Sequence, residues 1–171
     1  KEDYPSLISC YAALAAYKTG KPVRMIMNRR EDMSVTPKRH PSRIVISSAV
    51  SAAGELIGVK IDTALDGGAF DGLSTVVLQR ALICAAGVYR IPNLSVHGRA
   101  MVTNTIPTGA FRGFGAPQSF FAIETHMNHL ANRLGIEPLA FRQKYLAKQF
   151  DPTPTGGQYH DPVILTEMIE K

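Results

Sequence analysis

The sequence predicts an α+β fold, and three patterns carry that reading. Apolar residues recur at helical spacing in several stretches. Two β-branched or apolar runs flank a turn around Ala53-Gly54-Glu55, which predicts a β-hairpin. Helices and hairpin follow one another without regular strand–helix–strand alternation and without an internal repeat. At 171 residues the chain is one ordinary domain long and large enough to bury a core. A hydrophobic share of 45% against 19% charged residues excludes a disordered chain.

The elements follow in order. Residues 6–19 predict a helix, because Leu7, Ile8, Tyr11, Leu14 and Ala15 recur at helical spacing and Gly20 ends the run. The stretch PVRMIMN at 22–28 predicts a short buried strand, and the polar stretch 29–41 a loop. Residues 44–51 and 56–65 are the two arms of the hairpin, with Asp66-Gly67-Gly68 breaking the second. Residues 73–86 predict a helix ended by Gly87, and 93–104 a strand. Phe120, Ile123, Met127, Leu130 and Leu134 mark one face of a helix that stops at Gly135. Pro138 opens a further helix reaching about residue 149. Residues 151–161 predict a proline-rich loop, and 163–171 the start of another helix.

Charge and cysteine usage narrow the function classes. The chain carries 19 Lys plus Arg against 14 Asp plus Glu, a net charge of +5. That excess suits an anionic ligand, an acidic partner or nucleic acid, or is ordinary surface charge. The stretch Arg29-Arg30-Glu31-Asp32 with Lys38-Arg39-His40 holds an acidic pair and no interleaved aromatics, which favours a solvated loop over a nucleic-acid patch. Cys10 and Cys84 lack CxxC spacing and read as buried thiols in a reducing compartment. No apolar run reaches the ~18 residues of a membrane span, and no secretory leader pattern is visible, so a cytoplasmic location is expected. His126 and His129 are spaced i, i+3 but lack a third metal ligand, which favours surface or helix-packing roles. The start at Lys1, without an initiator Met, reads as a segment of something longer.

The most informative stretch is the run from Gly109 to Gln118, GAFRGFGAPQ. Glycines let backbone approach a ligand closely. Pro117 presets a helical turn, and a helix start offers free N–H groups to an anion. No Gly-Lys-Ser/Thr follows and no third dinucleotide-type glycine is present, so it is neither a Walker loop nor a dinucleotide fingerprint. Chemistry alone weighs a ligand loop about equally with a tight turn whose Phe111 and Phe114 fill the core. Arg80, on an apolar helix face, either snorkels to solvent or pairs with a buried acceptor.

Four ordered stretches together resemble the molybdenum hydroxylases of the xanthine dehydrogenase and aldehyde oxidase family. AFRGFGAPQ from Ala110 is similar to that family's AFRGFG-PQ segment. Lys1-Glu2 is similar to the end of its GGGFGGKE loop. Asn28 to Met33 with Arg39-His40-Pro41 is similar to its EDM and RHP stretch, and Arg80-Ala81-Leu82 with Tyr89 to Asn93 to its RAL and PN stretch. The resemblance covers nearly all of residues 1–171 and implies a segment of a molybdopterin-binding domain.

The resemblance implies a molybdenum–pyranopterin cofactor, with 2Fe-2S and FAD groups on other domains or subunits. It implies hydroxylation of a purine of the xanthine or hypoxanthine kind, using water-derived oxygen. Arg112 is similar to the residue whose backbone amide approaches the metal, with Gly113 beside it in the cofactor-binding turn. Phe114 is similar to the ring that packs against the heterocycle. Glu2 and Arg80 are similar to the polar pair that grips a purine from opposite sides, so both are expected to be catalytic and substrate-binding, with Arg80 buried and paired. The family's general base lies downstream of residue 171, so these residues alone are expected to be inactive. The expected partners are an N-heterocyclic substrate, the rest of the molybdopterin subunit and the iron–sulfur and flavin modules, with neither nucleic acid nor membrane. Two alternatives stand beside this: a related hydroxylase of an aldehyde or another N-heterocycle, and a non-catalytic basic binding module.

Overall fold

The computed structural model describes residues 4–170. Helix α1 (Tyr4–Thr19) and the short helix α2 (Arg29–Val35) precede a hairpin of strands β1 (Ser42–Val50) and β2 (Leu56–Gly68). Helix α3 (Ser74–Ile83) then crosses over to strand β3 (Leu94–Val102). Helices α4 (Ala116–Leu134), α5 (Pro138–Gln143) and α6 (Leu165–Ile169) follow. The sheet order is β1-β2-β3, with β1 antiparallel and β3 parallel to the central β2. The α+β expectation therefore holds, with one parallel βαβ unit inside it.

Alternation along β2 explains the layering. Val59, Ile61, Thr63 and Leu65 are buried, while Lys60 faces solvent between them. Their face carries the core. Leu56, Val59 and Ile61 pack with Ile123, Met127 and Ala131 of α4 and with Phe141, Tyr145 and Tyr89. Toward the other end of β2, Leu65 packs with Val77 and Leu78 of α3, joined by Phe114. Full burial of such side chains contributes about 1.5–3 kcal/mol each. Polar groups within this core are paired: Tyr145 Oη accepts from Leu56 N at 2.8 Å, and Ser119 Oγ donates to Ala81 O at 2.7 Å. Tyr89 Oη, Glu124 and Arg142 form a bonded cluster tying α4 to α5, with Arg142 Nε 2.8 Å from Glu124 Oε2. Burial first, and then the Glu124 carboxylate, push the Tyr89 hydroxyl well above its ordinary range.

Several expectations need correction. Residues 22–28 form no strand and are largely exposed, because no described strand lies alongside to accept their hydrogen bonds. The stretch 29–35 is helical, not a loop. Asn28 and Glu31 form a capping box, with Asn28 Oδ1 accepting from Glu31 N at 3.0 Å and Glu31 Oε2 from Asn28 N at 2.8 Å. Lys38-Arg39-His40 is not solvated: His40 is 2% exposed, and the Lys38 ammonium donates to Asp32 O at 2.7 Å. Asp66-Gly67-Gly68 continues β2, because β3 supplies partners as far as Val102. α5 ends at Gln143, after which Tyr89 and Leu146 form a β-bridge. Cys10 is exposed, because α1 packs few of its residues against the sheet layer, and Cys84, at the C-terminal end of α3, is half-buried. No described helix is long and apolar enough to cross a membrane.

Two tests follow from this packing. Gly115 has φ +93°, and a Cβ there would collide with the Val77 carbonyl oxygen and lie 3.1 Å from Ala81. Gly115→Ala should therefore destabilise the chain by about 2 kcal/mol or more in urea unfolding, whereas an unchanged midpoint would contradict the packing. The second test is pH. Burial holds the His40 imidazole below its usual range, against the opposing pull of Asp66 and Asp71, and burial with His129 does the same to His126. The unfolded chain then takes up protons first, so stability is full above the ordinary histidine range and falls as pH drops through about 6.5. A urea midpoint unchanged between neutral pH and mild acid would contradict this.

Candidate functional site

The loop from Thr103 to Gly115 is held by polar contacts at its base. The Asp66 carboxylate accepts from Gly68 N at 2.9 Å, from Thr103 Oγ1 at 2.5 Å and from Thr105 Oγ1 at 3.2 Å. These bonds, the Thr103 hydroxyl foremost, hold its pKa below the usual carboxylate range. Thr108 donates through Oγ1 to Asp66 O at 2.9 Å and through its backbone to Gly67 O at 3.2 Å. The segment ending at His40 lies alongside: Lys38 N donates to Pro107 O at 3.3 Å, and Gly109 N to Lys38 O at 3.0 Å. Only two residues separate that ladder from Arg112.

The run itself is a left-handed turn. Gly113, Phe114 and Gly115 have φ of +91°, +51° and +93°. Phe114 N donates to Phe111 O at 2.7 Å, and Ala116 N to Gly113 O at 3.0 Å, where α4 begins. A non-glycine residue in this region carries strain, here offset by the packing of the half-buried Phe114 ring against Leu65, Val77 and Leu78. Phe114 is thus partly core, while Phe111 stacks under the Arg39 guanidinium, 4.6 Å from ring centroid to Cζ. Arg112 and Gly113 are exposed. No described residue accepts from the backbone N–H of either.

Arg80 departs from expectation. It is exposed on α3, and no described residue bonds its guanidinium, so it is neither buried nor paired. The α3 face toward the sheet is filled by Val77, Leu78 and Ala81, which leaves Arg80 on the outer side. The structure does bring its turn to the run, because Gly115 packs on Val77 and Ala81. Glu2 lies outside the described residues. The half-buried His126 lies with its Nε2 2.6 Å from Ser48 Oγ on β1. No described group of His, Cys, Asp or Glu could hold a metal ion.

Sequence reasoning missed the role of Arg39, which donates from Nη2 to Arg112 O at 2.6 Å. The Arg39-His40-Pro41 stretch was the available signal, and only the distance to Arg112 gives it meaning. A groove of about 560 Å³ opens between β1 and α4, lined by Arg39, Ile44, Ile46, Gln118, Phe121 and His126 among others. A second cavity of about 680 Å³ is bordered by Tyr11, Phe70, Leu73, Pro107 and Gly109. Neither is lined by Arg80, Arg112 or Phe114. Of the residues expected to contact ligand, Arg112, Gly113 and Phe114 lie on the turn and Arg80 on the outer side of α3, outside both of these cavities.

A molybdenum–pterin group presents electronegative atoms, and the free N–H groups of Arg112 and Gly113 are a donor set that fits it. Comparisons with known proteins show the family. Residues 1–146 match the molybdopterin cofactor-binding domain family. The chain is 41% identical over 147 residues to one subunit of a probable xanthine dehydrogenase from Bacillus subtilis, covering 86% of this chain and 20% of that protein. It is 35% identical over 164 residues to the nicotinate dehydrogenase large molybdopterin subunit of Eubacterium barkeri, covering 96% of this chain and 39% of that protein. The aldehyde oxidoreductase of Desulfovibrio gigas superposes with a TM-score of 0.80 at 35% identity, over 92% of this chain and 17% of that one. The chain spans well under half the length of each. On this sequence and structural likeness, the chain belongs to the molybdopterin cofactor-binding domain family of the molybdenum hydroxylases.

Proposed function

We propose that residues 1–171 are a segment of the molybdopterin-binding domain of a hydroxylase acting on a purine of the xanthine kind. The carrying observation is the exposed pair of unpartnered N–H groups at Arg112 and Gly113, on a turn whose carbonyls are already engaged. When bound there, the cofactor would supply the two-electron oxidation that places a water-derived oxygen on the ring. The electrons would leave through iron–sulfur and flavin modules carried elsewhere.

The residues of this chain would bind and orient. Arg112 and Gly113 donate to the cofactor's electronegative atoms. The part of the Phe114 ring left open by core packing would set the plane of the heterocycle, which is orientation catalysis. Negative charge develops on the ring as oxygen is added. A guanidinium facing that charge stabilises the transition state more than the ground state, and the exposed Arg80 is free to turn toward a ligand. Glu2 would accept a ring N–H from the opposite side. A second reading, hydroxylation of an aldehyde or another N-heterocycle, is supported by relatives of similar identity named for nicotinate and aldehyde.

Arg80→Leu in the complete, molybdenum-loaded protein separates the two readings. Purine kcat/KM should fall about a hundredfold, the few kcal/mol typical of such a group, while aldehyde turnover stays within about twofold. Unchanged purine kcat/KM in Arg80→Leu would overturn the purine assignment.

A further inference from the structure

We propose that Arg39 is a positioning residue that fixes the Arg112–Gly113 turn and strengthens its Gly113 N–H donor. The proposal rests on the hydroxylase reading for its consequence in catalysis, but its geometry stands without it.

The Arg39 backbone is anchored on both sides. Lys38 pairs with the 107–109 segment through two backbone bonds of 3.3 and 3.0 Å. The buried His40 lies with Nε2 2.9 Å from Ser74 Oγ on α3, and its carbonyl accepts from Gln118 Nε2 on α4 at 3.1 Å. The side chain is therefore aimed by three elements at once. Its Nη2 donates to Arg112 O at 2.6 Å, and its plane covers the Phe111 ring at 4.6 Å.

The peptide logic gives the contact its purpose. The Arg112 carbonyl and the Gly113 N–H belong to one peptide group. A charged donor on that carbonyl polarises the group and makes its N–H a stronger donor. The preceding peptide, which carries the Arg112 N–H, is held by a neutral bond instead, because Phe111 O accepts from Phe114 N at 2.7 Å. Two adjacent N–H groups are thus stiffened by bonds on their far sides, and that of Gly113 is also primed. Arginine suits the task because its planar fork can donate and stack together, which an ammonium cannot. Arg39 Nη1 is buried with no partner among the described residues, a cost that a purely stabilising arginine would not carry.

The test uses the complete molybdenum-loaded protein with Arg39→Met and Arg39→Lys. Amide exchange at Phe114 should rise about tenfold or more in Arg39→Met, while exchange at Ile61 and Leu65 in β2 stays unchanged. At wild-type molybdenum content, kcat should fall about tenfold with KM within about twofold, and the molybdenum electron paramagnetic resonance spectrum should change. Arg39→Lys, which keeps the charge, should be intermediate and remains readable if Arg39→Met fails to fold. Wild-type exchange, kcat and spectrum in the variants would overturn the proposal. So would a rise in exchange shared equally by β2, which indicates a structural role alone. A wild-type protein devoid of molybdenum would sink the hydroxylase reading instead, and Phe114 exchange would still decide the Arg39 contact.

Discussion

The site depends on one close approach, that of the Gly115 backbone to the Val77 carbonyl on α3. No side chain fits between them, so α4 starts directly against α3 and the preceding residues must turn in the left-handed region. That turn projects Arg112 and Gly113 outward and draws the Phe114 ring back against Leu65 and Val77. The division between exposed donors and packed ring follows from the α3–α4 contact and not from the residue types alone.

Polar contacts then set where the turn points. Asp66 gathers the ends of β2 and β3 through two threonine hydroxyls and a backbone N–H. Arg39, delivered by a strand-like pairing beside Pro107–Gly109, closes the other side. Each bond contributes about 0.5–1.5 kcal/mol, too little to fold a domain but enough to hold a loop whose orientation matters. The donor pair is consequently pre-organised before any ligand arrives, which reduces what binding must spend on ordering.

Much of this was legible in the sequence, and the failures have physical causes. The hairpin, α3, β3 and α4 follow from periodicity and from Gly135 and Pro138, which act locally. The run AFRGFGAPQ marked the turn. Residues 22–28 read as a strand because they are apolar, but a strand also needs a neighbour, which is a non-local property. The stretch 29–35 read as a loop because its residues are polar, although Asn28 and Glu31 form a capping box recognisable from spacing. Gly67 and Gly68 read as breakers, yet pairing with β3 carries the strand through them. Arg80 is exposed although its helix is apolar, because only one face of α3 meets the sheet. The reach of Arg39 to Arg112 spans more than seventy residues of sequence, and no local pattern encodes it.

The central claim is that the exposed N–H groups of Arg112 and Gly113 receive the molybdopterin group. A crystal structure of the complete, molybdenum-loaded protein tests it most directly. The account predicts that at least one of these nitrogens lies about 3 Å from an electronegative atom of the cofactor or of a ligand on its metal, with the left-handed turn unchanged. A cofactor bound with both nitrogens facing bulk solvent, or a turn refolded to reach it, would contradict the account.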